Sequence, residues 1–448
     1  MREQNTPAVP RRILASLISS LSAGVVPRAG APYIAIGRDE EIRALLGDLE
    51  KISDGEGTVR FLIGRYGSGK SFLMQLVRGY ALDKGFLTAD ADLSPERRLY
   101  GTGGNGLATY KELIRNMASK ASPDGGALGK LLIKWISSLQ MELMEGGLTE
   151  GSPEFTAQMD KKILAVVREI ECSVGGFDFA RILSEFYRAY VLGNDQMQSA
   201  CLRWFRGEYS NKTEAKAVLG FAVSSVVDDD NWYDFIKLWA IVARRIGYRG
   251  LVVFIDECVN LYKITNRVSR ENNYEKILSM FNDTLQGHAE GLAIVFGGTP
   301  QFLDDTRRGV FSYEALRSRL CDSKYEAKGI RNMNTPIIRL VRLGDNELFA
   351  LLKRLTVLYG QYYGLAPRID EQQMATFLKL NTSRAGSELM VTPREMIRDY
   401  MAVLNLLAQS ESVSFETIVD SVFPKGQESG QADAEEAPRK ITAEDIIF

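Results

Sequence analysis

TVRFLIGRYGSGKSF, residues 58–72, decides the fold, because Gly64 to Ser71 matches the pattern G-x-x-x-x-G-K-[ST] in full. The apolar run from Thr58 to Gly64 reads as a buried strand by its length and flanks, and a helix is expected from Lys70 to about Lys84. Strand, glycine loop and helix in that order are the context that makes the pattern a P-loop. The glycines let backbone N–H groups turn inward around phosphate oxygens, and the helix N-terminus adds partial positive charge. Lys70 is placed to reach the β- and γ-phosphates, and Ser71 to ligate Mg²⁺. Gly64, Gly67, Ser68, Gly69, Lys70, Ser71 and Phe72 are therefore the candidate residues for holding ATP.

Working outward, Leu251-Val252-Val253-Phe254-Ile255-Asp256-Glu257 is an apolar strand that ends in two acids, a Walker B pattern. Asp256 is expected to hold Mg²⁺ with Ser71, and Glu257 to activate the attacking water. A further run, Ala293 to Phe296, ends in Gly297-Gly298-Thr299-Pro300. Parallel sheets collect ligands at the carboxyl ends of their strands, which would set Thr299 beside the γ-phosphate. Thr-Pro also starts helices, so a simple cap is the alternative. Strands without polar alternation separated by helical segments argue for an α/β fold with a parallel sheet.

Composition agrees. The chain has 448 residues, of which 45% are hydrophobic and 25% charged, the profile of a soluble globular protein with room for two to four domains. Fifty-five Lys and Arg against 57 acids exclude a chain-wide basic nucleic-acid binder. One histidine, His288, excludes multi-His metal sites, and the four cysteines form no CxxC pair, as suits a reducing cytoplasm. No run of about 18 apolar residues predicts a membrane span.

The organisation is read in four parts. Residues 1–30 hold an amphipathic docking helix, with Ile13, Leu14, Leu17, Ile18 and Leu21 at helical spacing. Residues 31–343 form the nucleotide-binding domain, with a mainly helical insertion at about 107–247 that holds Trp135, Trp204, Trp232 and Trp239, either a partner surface or ordinary core. Residues 344–408 are expected to be a helical lid, with a late helix starting at Pro393. Residues 409–448 read as an acidic tail ending in Ile441, Ile446, Ile447 and Phe448, either a docking peptide or a frayed end. From Arg317 to Arg342 there are seven basic residues against two acids, either a DNA path or a solvated face.

Walker A, a late Walker B with Asp-Glu, a polar residue ending the next strand and the step Thr392-Pro393-Arg394-Glu395 resemble AAA+ ATPases of the initiator and helicase-loader type. The resemblance implies that Thr299 is a sensor near the γ-phosphate and that Arg394 is a lid arginine touching it. It implies that Gly37 and Arg38 cradle adenine, and that Arg317 or Arg319 is an arginine finger reaching a neighbour's nucleotide in a homo-oligomer. For Arg317 and Arg319 a solvated helix face is the alternative. A narrower resemblance, carried by RRILASLISSLSAGVVP, IGRDEEI, GRYGSGKSFLM, GFLTADADLSPERRLYG and VVFIDE, is to the BrxD-type P-loop proteins of BREX bacterial anti-phage systems. It implies a DEAD/DEAH-type helicase as partner, with ATP hydrolysis coupled to loading that helicase on DNA. A nucleotide-gated scaffold that hydrolyses ATP slowly is the other reading.

Overall fold

The computed structural model describes residues 9–171, 176–320, 332–366, 368–383, 392–410 and 412–422. Helices α1 (Arg11–Ser22) and α2 (Asp39–Ser53) precede strand β1 (Thr58–Gly64), and α3 (Lys70–Asp83) follows it. Four further strands are β2 (Leu87–Asp92), β3 (Leu251–Asp256), β4 (Leu292–Gly298) and β5 (Ile337–Leu340). They pair in the order β2-β3-β4-β1-β5, with every neighbouring pair parallel. The strand of the P-loop and the strand of the Asp256-Glu257 pair are thus not neighbours. β4 lies between them, and its Phe296 stacks on Phe61 of β1 at 5.2 Å between ring centres. A parallel sheet needs both faces covered. Leu62, Val252, Phe254, Val295 and Ile338 face α2 and α3 on one side.

The expected insertion is helical: α4 (Asn105–Arg115), α5 (Leu128–Glu145), α6 (Pro153–Glu171), α7 (Gly176–Val191), α8 (Asp195–Phe205), α9 (Lys212–Leu219) and α10 (Trp232–Arg245). All four tryptophans are buried in it, at 0–4% exposure, so they are core rather than partner surface. Phe179 makes ring contacts with both Trp204 and Trp239. The glycine-rich loop before α4 is held by Asp229, whose carboxylate accepts from the N–H groups of Gly104 at 2.7 Å and Leu107 at 2.9 Å. That one side chain caps α4 with a residue from the other end of the insertion.

After β3 come α11 (Val259–Tyr262) and α12 (Arg267–Leu285). α12 is capped by Asn266, whose side chain accepts from the Ser269 N–H. Tyr274, Ile277, Met280 and Phe281 of α12 cover the other sheet face together with the insertion, against Phe61, Ile63, Val253, Ile255 and Ile294. Between β4 and β5 lie α13 (Pro300–Asp304) and α14 (Glu314–Leu320).

The chain closes with α15 (Asp345–Tyr363), α16 (Glu371–Ser383), α17 (Pro393–Gln409) and α18 (Phe415–Val422). These helices bury their apolar faces against α1, whose Leu14, Leu17, Ile18 and Leu21 are all within 4% of full burial. Each such side chain contributes roughly 1.5–3 kcal/mol, so α1 is held firmly on its own chain's C-terminal helices. The sequence reading stopped the helices at residue 408, whereas Phe415 and Ile418 of α18 are buried in this same cluster. Arg368 closes the turn before α18 by donating to the carbonyls of Leu407, Ser410 and Val413. The expected docking peptide at residues 441–448 lies outside the described residues.

Candidate functional site

Gly67 and Gly69 take φ of +76° and +89°, a region in which a β-carbon is strained, and so turn the loop between β1 and α3. Gly64 allows a second close approach, since a β-carbon there would meet Ser68 Cβ at 3.0 Å. The Ser68 hydroxyl is buried without a partner. Lys70 opens α3, and its ammonium donates to the Gly64 carbonyl at 3.0 Å and the Arg65 carbonyl at 3.4 Å, spanning the loop that would receive phosphates. Burial lowers the Lys70 pKa, against the opposing pull of Asp256 and Glu257.

The Ser71 hydroxyl donates to the Asp256 carboxylate at 2.8 Å, although 185 positions separate them. β3 carries Asp256 to this point, and its register sets Asp256 opposite Asp92 of β2. Glu257 stands at φ +56°, the one non-glycine residue with positive φ among the described residues. Its N–H donates back to the Asp256 carboxylate at 2.8 Å, and it lines the cleft with Lys70 and Ser71.

The cleft has a volume of about 310 Å³. One half is polar, built from the glycine loop, Lys70, Ser71, Glu257, Arg38 and Arg394. The other half is apolar, with Leu21, Val25 and Val26 from the end of α1 and its following loop, Ile34 and Ile36, and Leu351 and Ile397 from the C-terminal helices. A site with one end that turns N–H groups and a lysine to anions, and another that is apolar, suits a nucleotide's phosphates and base. Phe72 lines the cleft as expected.

Two helix N-termini converge here. α17 begins at Pro393 with Thr392 as its cap, and Thr392 lies so close to Gly67 that a β-carbon there would meet Thr392 Cγ2 at 3.0 Å. Arg394 in that first turn is exposed and makes no hydrogen bond or ion pair among the described residues, so its guanidinium is available to the cleft.

Other expected site residues stand apart. Thr299 does not line the cleft; its hydroxyl caps α13 by accepting from the Phe302 N–H at 3.3 Å. Gly37 packs against Glu347 of α15 and is not in the cleft wall. Arg317 and Arg319 lie exposed on α14, outside the chain's own cleft, with Arg319 donating to the Ala315 carbonyl at 2.7 Å. Of the basic stretch that follows, Arg339 is paired with Asp304, while Lys324, Lys328 and Arg331 lie outside the described residues.

Two residues of the site escaped the sequence reading. Asp92 ends β2 beside Asp256, and partial burial followed by repulsion from Asp256 and Glu257 raises its carboxyl above the usual range. Gly297 of β4 packs its Cα against the Asp256 carboxylate. The hydroxyl and carboxylate of Ser71 and Asp256 fit Mg²⁺, which is held by few protein oxygens together with phosphates and water. Among the described residues no group of three His, Cys, Asp or Glu forms a closed metal cage, and no helix is long and apolar enough to cross a membrane.

The parallel sheet with β4 between the two motif strands, and the cleft at their carboxyl ends, define a P-loop nucleotide-binding protein. Residues 9–422 match the family described as BREX system ATP-binding protein BrxC/D, and the chain belongs to that family. It is an ATP-binding protein of a phage-defence system. No curated protein matches the chain.

Proposed function

We propose that the protein is an ATP hydrolase of AAA+ type that couples ATP binding and Mg²⁺-dependent hydrolysis to loading a partner helicase on DNA. The observation that carries this reading is the Ser71–Asp256 hydrogen bond at 2.8 Å, with Lys70 and Glu257 on the same cleft. In this mechanism Ser71 and Asp256 would hold a Mg²⁺ ion, whose charge would offset that of the β- and γ-phosphates. Lys70 leaves the Gly64 carbonyl for the phosphates. Glu257 accepts the proton of the attacking water, and Arg394 moves onto the γ-phosphate.

The exposed positions of Arg317 and Arg319 support a role at a neighbour's nucleotide. A trans arginine can raise the rate by about 10³–10⁵, so hydrolysis would require assembly. The partner is a DEAD/DEAH-type helicase in the cytoplasm, and DNA contact falls on the interior of an assembled ring or on the helical insertion, with the stretch from Arg317 to Arg342 as a candidate path. The test is steady-state ATP hydrolysis against protein concentration, with and without DNA, for the wild type and Glu257→Gln. Turnover that rises with assembly and vanishes in the variant is expected. Unchanged turnover in Glu257→Gln overturns the role of Glu257.

A second reading has its own support, because the Thr299 hydroxyl is used as a helix cap and Thr299 does not line the cleft. ATP then gates a scaffold and turns over slowly. A scaffold predicts that Lys70→Ala abolishes helicase binding while Glu257→Gln keeps it. A loader loses function in both.

A further inference from the structure

We infer that Arg38 is a positioning residue that couples the phosphate loop to the hinge of the C-terminal helices. The inference rests on the nucleotide reading of the cleft and assigns Arg38 a role other than cradling adenine. Arg38 sits before α2 and is 5% exposed. One guanidinium nitrogen, Nη2, donates to two backbone carbonyls at once, Ser68 at 2.9 Å and Val341 at 2.6 Å. Its Nη1 donates to the Glu41 carboxylate at 3.4 Å, and Glu41 is 2% exposed.

The two carbonyls belong to the phosphate loop and to the link that leads into the C-terminal helices. Ser68 lies between the two left-handed glycines of the phosphate loop. Val341 is the first residue after β5, in the short link 341–344 that leads into α15. α15 and α17 share one apolar cluster, and α17 brings Thr392 against Gly67 and Arg394 into the cleft. Turning the loop's N–H groups toward phosphate directs the Ser68 carbonyl away from it, toward Arg38. Any shift of that carbonyl on nucleotide binding changes the bond that the same nitrogen makes to the hinge. Arginine suits this post because its fork stays charged and planar, and the Glu41 carboxylate holds it in place.

The test uses the full-length protein and the double variant Arg38→Met/Glu41→Gln, which removes both buried charges together and so avoids stranding one of them. A fluorescent ATP analogue reports affinity, and hydrogen exchange with and without nucleotide reports the hinge and α17. In the wild type, nucleotide is expected to slow exchange across 341–344 and the first turns of α17. In the double variant at saturating nucleotide, the protection at 341–344 is lost and kcat falls by about tenfold. Arg38→Lys restores part of the protection. A double variant that keeps the nucleotide-dependent protection overturns the coupling. So does one that loses affinity and kcat in parallel with a lowered melting temperature, the mark of a purely structural residue. A wild type that binds nucleotide without protecting 341–344 overturns the coupling while leaving the site intact. A wild type that binds no nucleotide overturns the reading of the cleft and the coupling with it.

Discussion

Gly297 and Asp256 touch across the β3–β4 pair, and a β-carbon on residue 297 would stand 2.9 Å from the Asp256 carboxylate carbon. The missing side chain is what lets the acid stay level with Ser71. Gly297→Ala is therefore expected to push Asp256 away from the Ser71 hydroxyl. Overpacking of this kind costs about 1–3 kcal/mol, and thermal unfolding should show a modest loss. The sharper signature is functional: Mg²⁺-dependent ATP affinity falls while any Mg²⁺-independent affinity stays. Equal loss of both would mean that the alanine acts on the loop rather than on the acid.

Lys70 makes ATP binding weaken at alkaline pH. Burial lowers its pKa in the empty cleft, and a bound phosphate favours the charged form and raises it. Between those two values the complex holds a proton that the free protein lacks. Affinity is thus complete below the pKa of the empty state and declines as pH rises through it. Calorimetry at high pH in buffers of different ionisation heat should show proton uptake on binding, and Lys70→Arg should remove it. The empty protein carries the opposite trend: the unfolded chain keeps the lysine proton over that range, so stability rises with pH there.

Asp92 shifts in the other direction. Its raised carboxyl pKa means that the folded chain holds a proton more tightly than the unfolded chain. Its contribution to stability is complete below the ordinary carboxylate range and is lost as pH rises through the folded value. Asp92→Asn should therefore raise the melting temperature at neutral pH without Mg²⁺ and leave it unchanged at pH 3. It should also weaken Mg²⁺ binding by removing a nearby negative charge. A variant less stable at neutral pH would show that Asp92 holds structure rather than repelling Asp256.

Leu17 of α1 is fully buried among the C-terminal helices, whose other face walls the apolar half of the cleft. Leu17→Ala should cost about 2–5 kcal/mol. Loosening α1 should also weaken ATP more than inorganic triphosphate, because Leu21, Val25 and Val26 give the cleft apolar lining that suits a base rather than phosphates. Parallel weakening of both ligands would show that α1 supports the phosphate loop instead.

The P-loop and the Asp256-Glu257 strand were legible because each is one contiguous stretch whose chemistry is local. Apolar runs without alternation also announced a sheet covered on both faces. What stayed hidden depended on partners far along the chain. Arg38 looked like a base-cradling residue, yet one of its acceptors, Val341, lies 303 positions away. Asp92 carries no motif of its own in the sequence, and only the strand register sets it beside Asp256. Gly297 read as part of a turn, whereas its value is the close approach of its Cα. α18 was missed because eight residues carry too little periodicity to stand out from a polar tail. Arg317 and Arg319 kept both readings open in the sequence, and their exposed placement on α14 fits either.

The place of β1 in the sheet has a consequence for synthesis. Its two neighbours, β4 and β5, begin at Leu292 and Ile337, and the helices that cover α1 begin at Asp345. A chain emerging N-terminus first therefore presents the apolar face of α1 and both bare edges of β1 for most of its translation. Non-local pairing of this kind is slow and exposed to aggregation. Nascent chains released before β5 lack Leu340, which packs beside Gly64 of the phosphate loop.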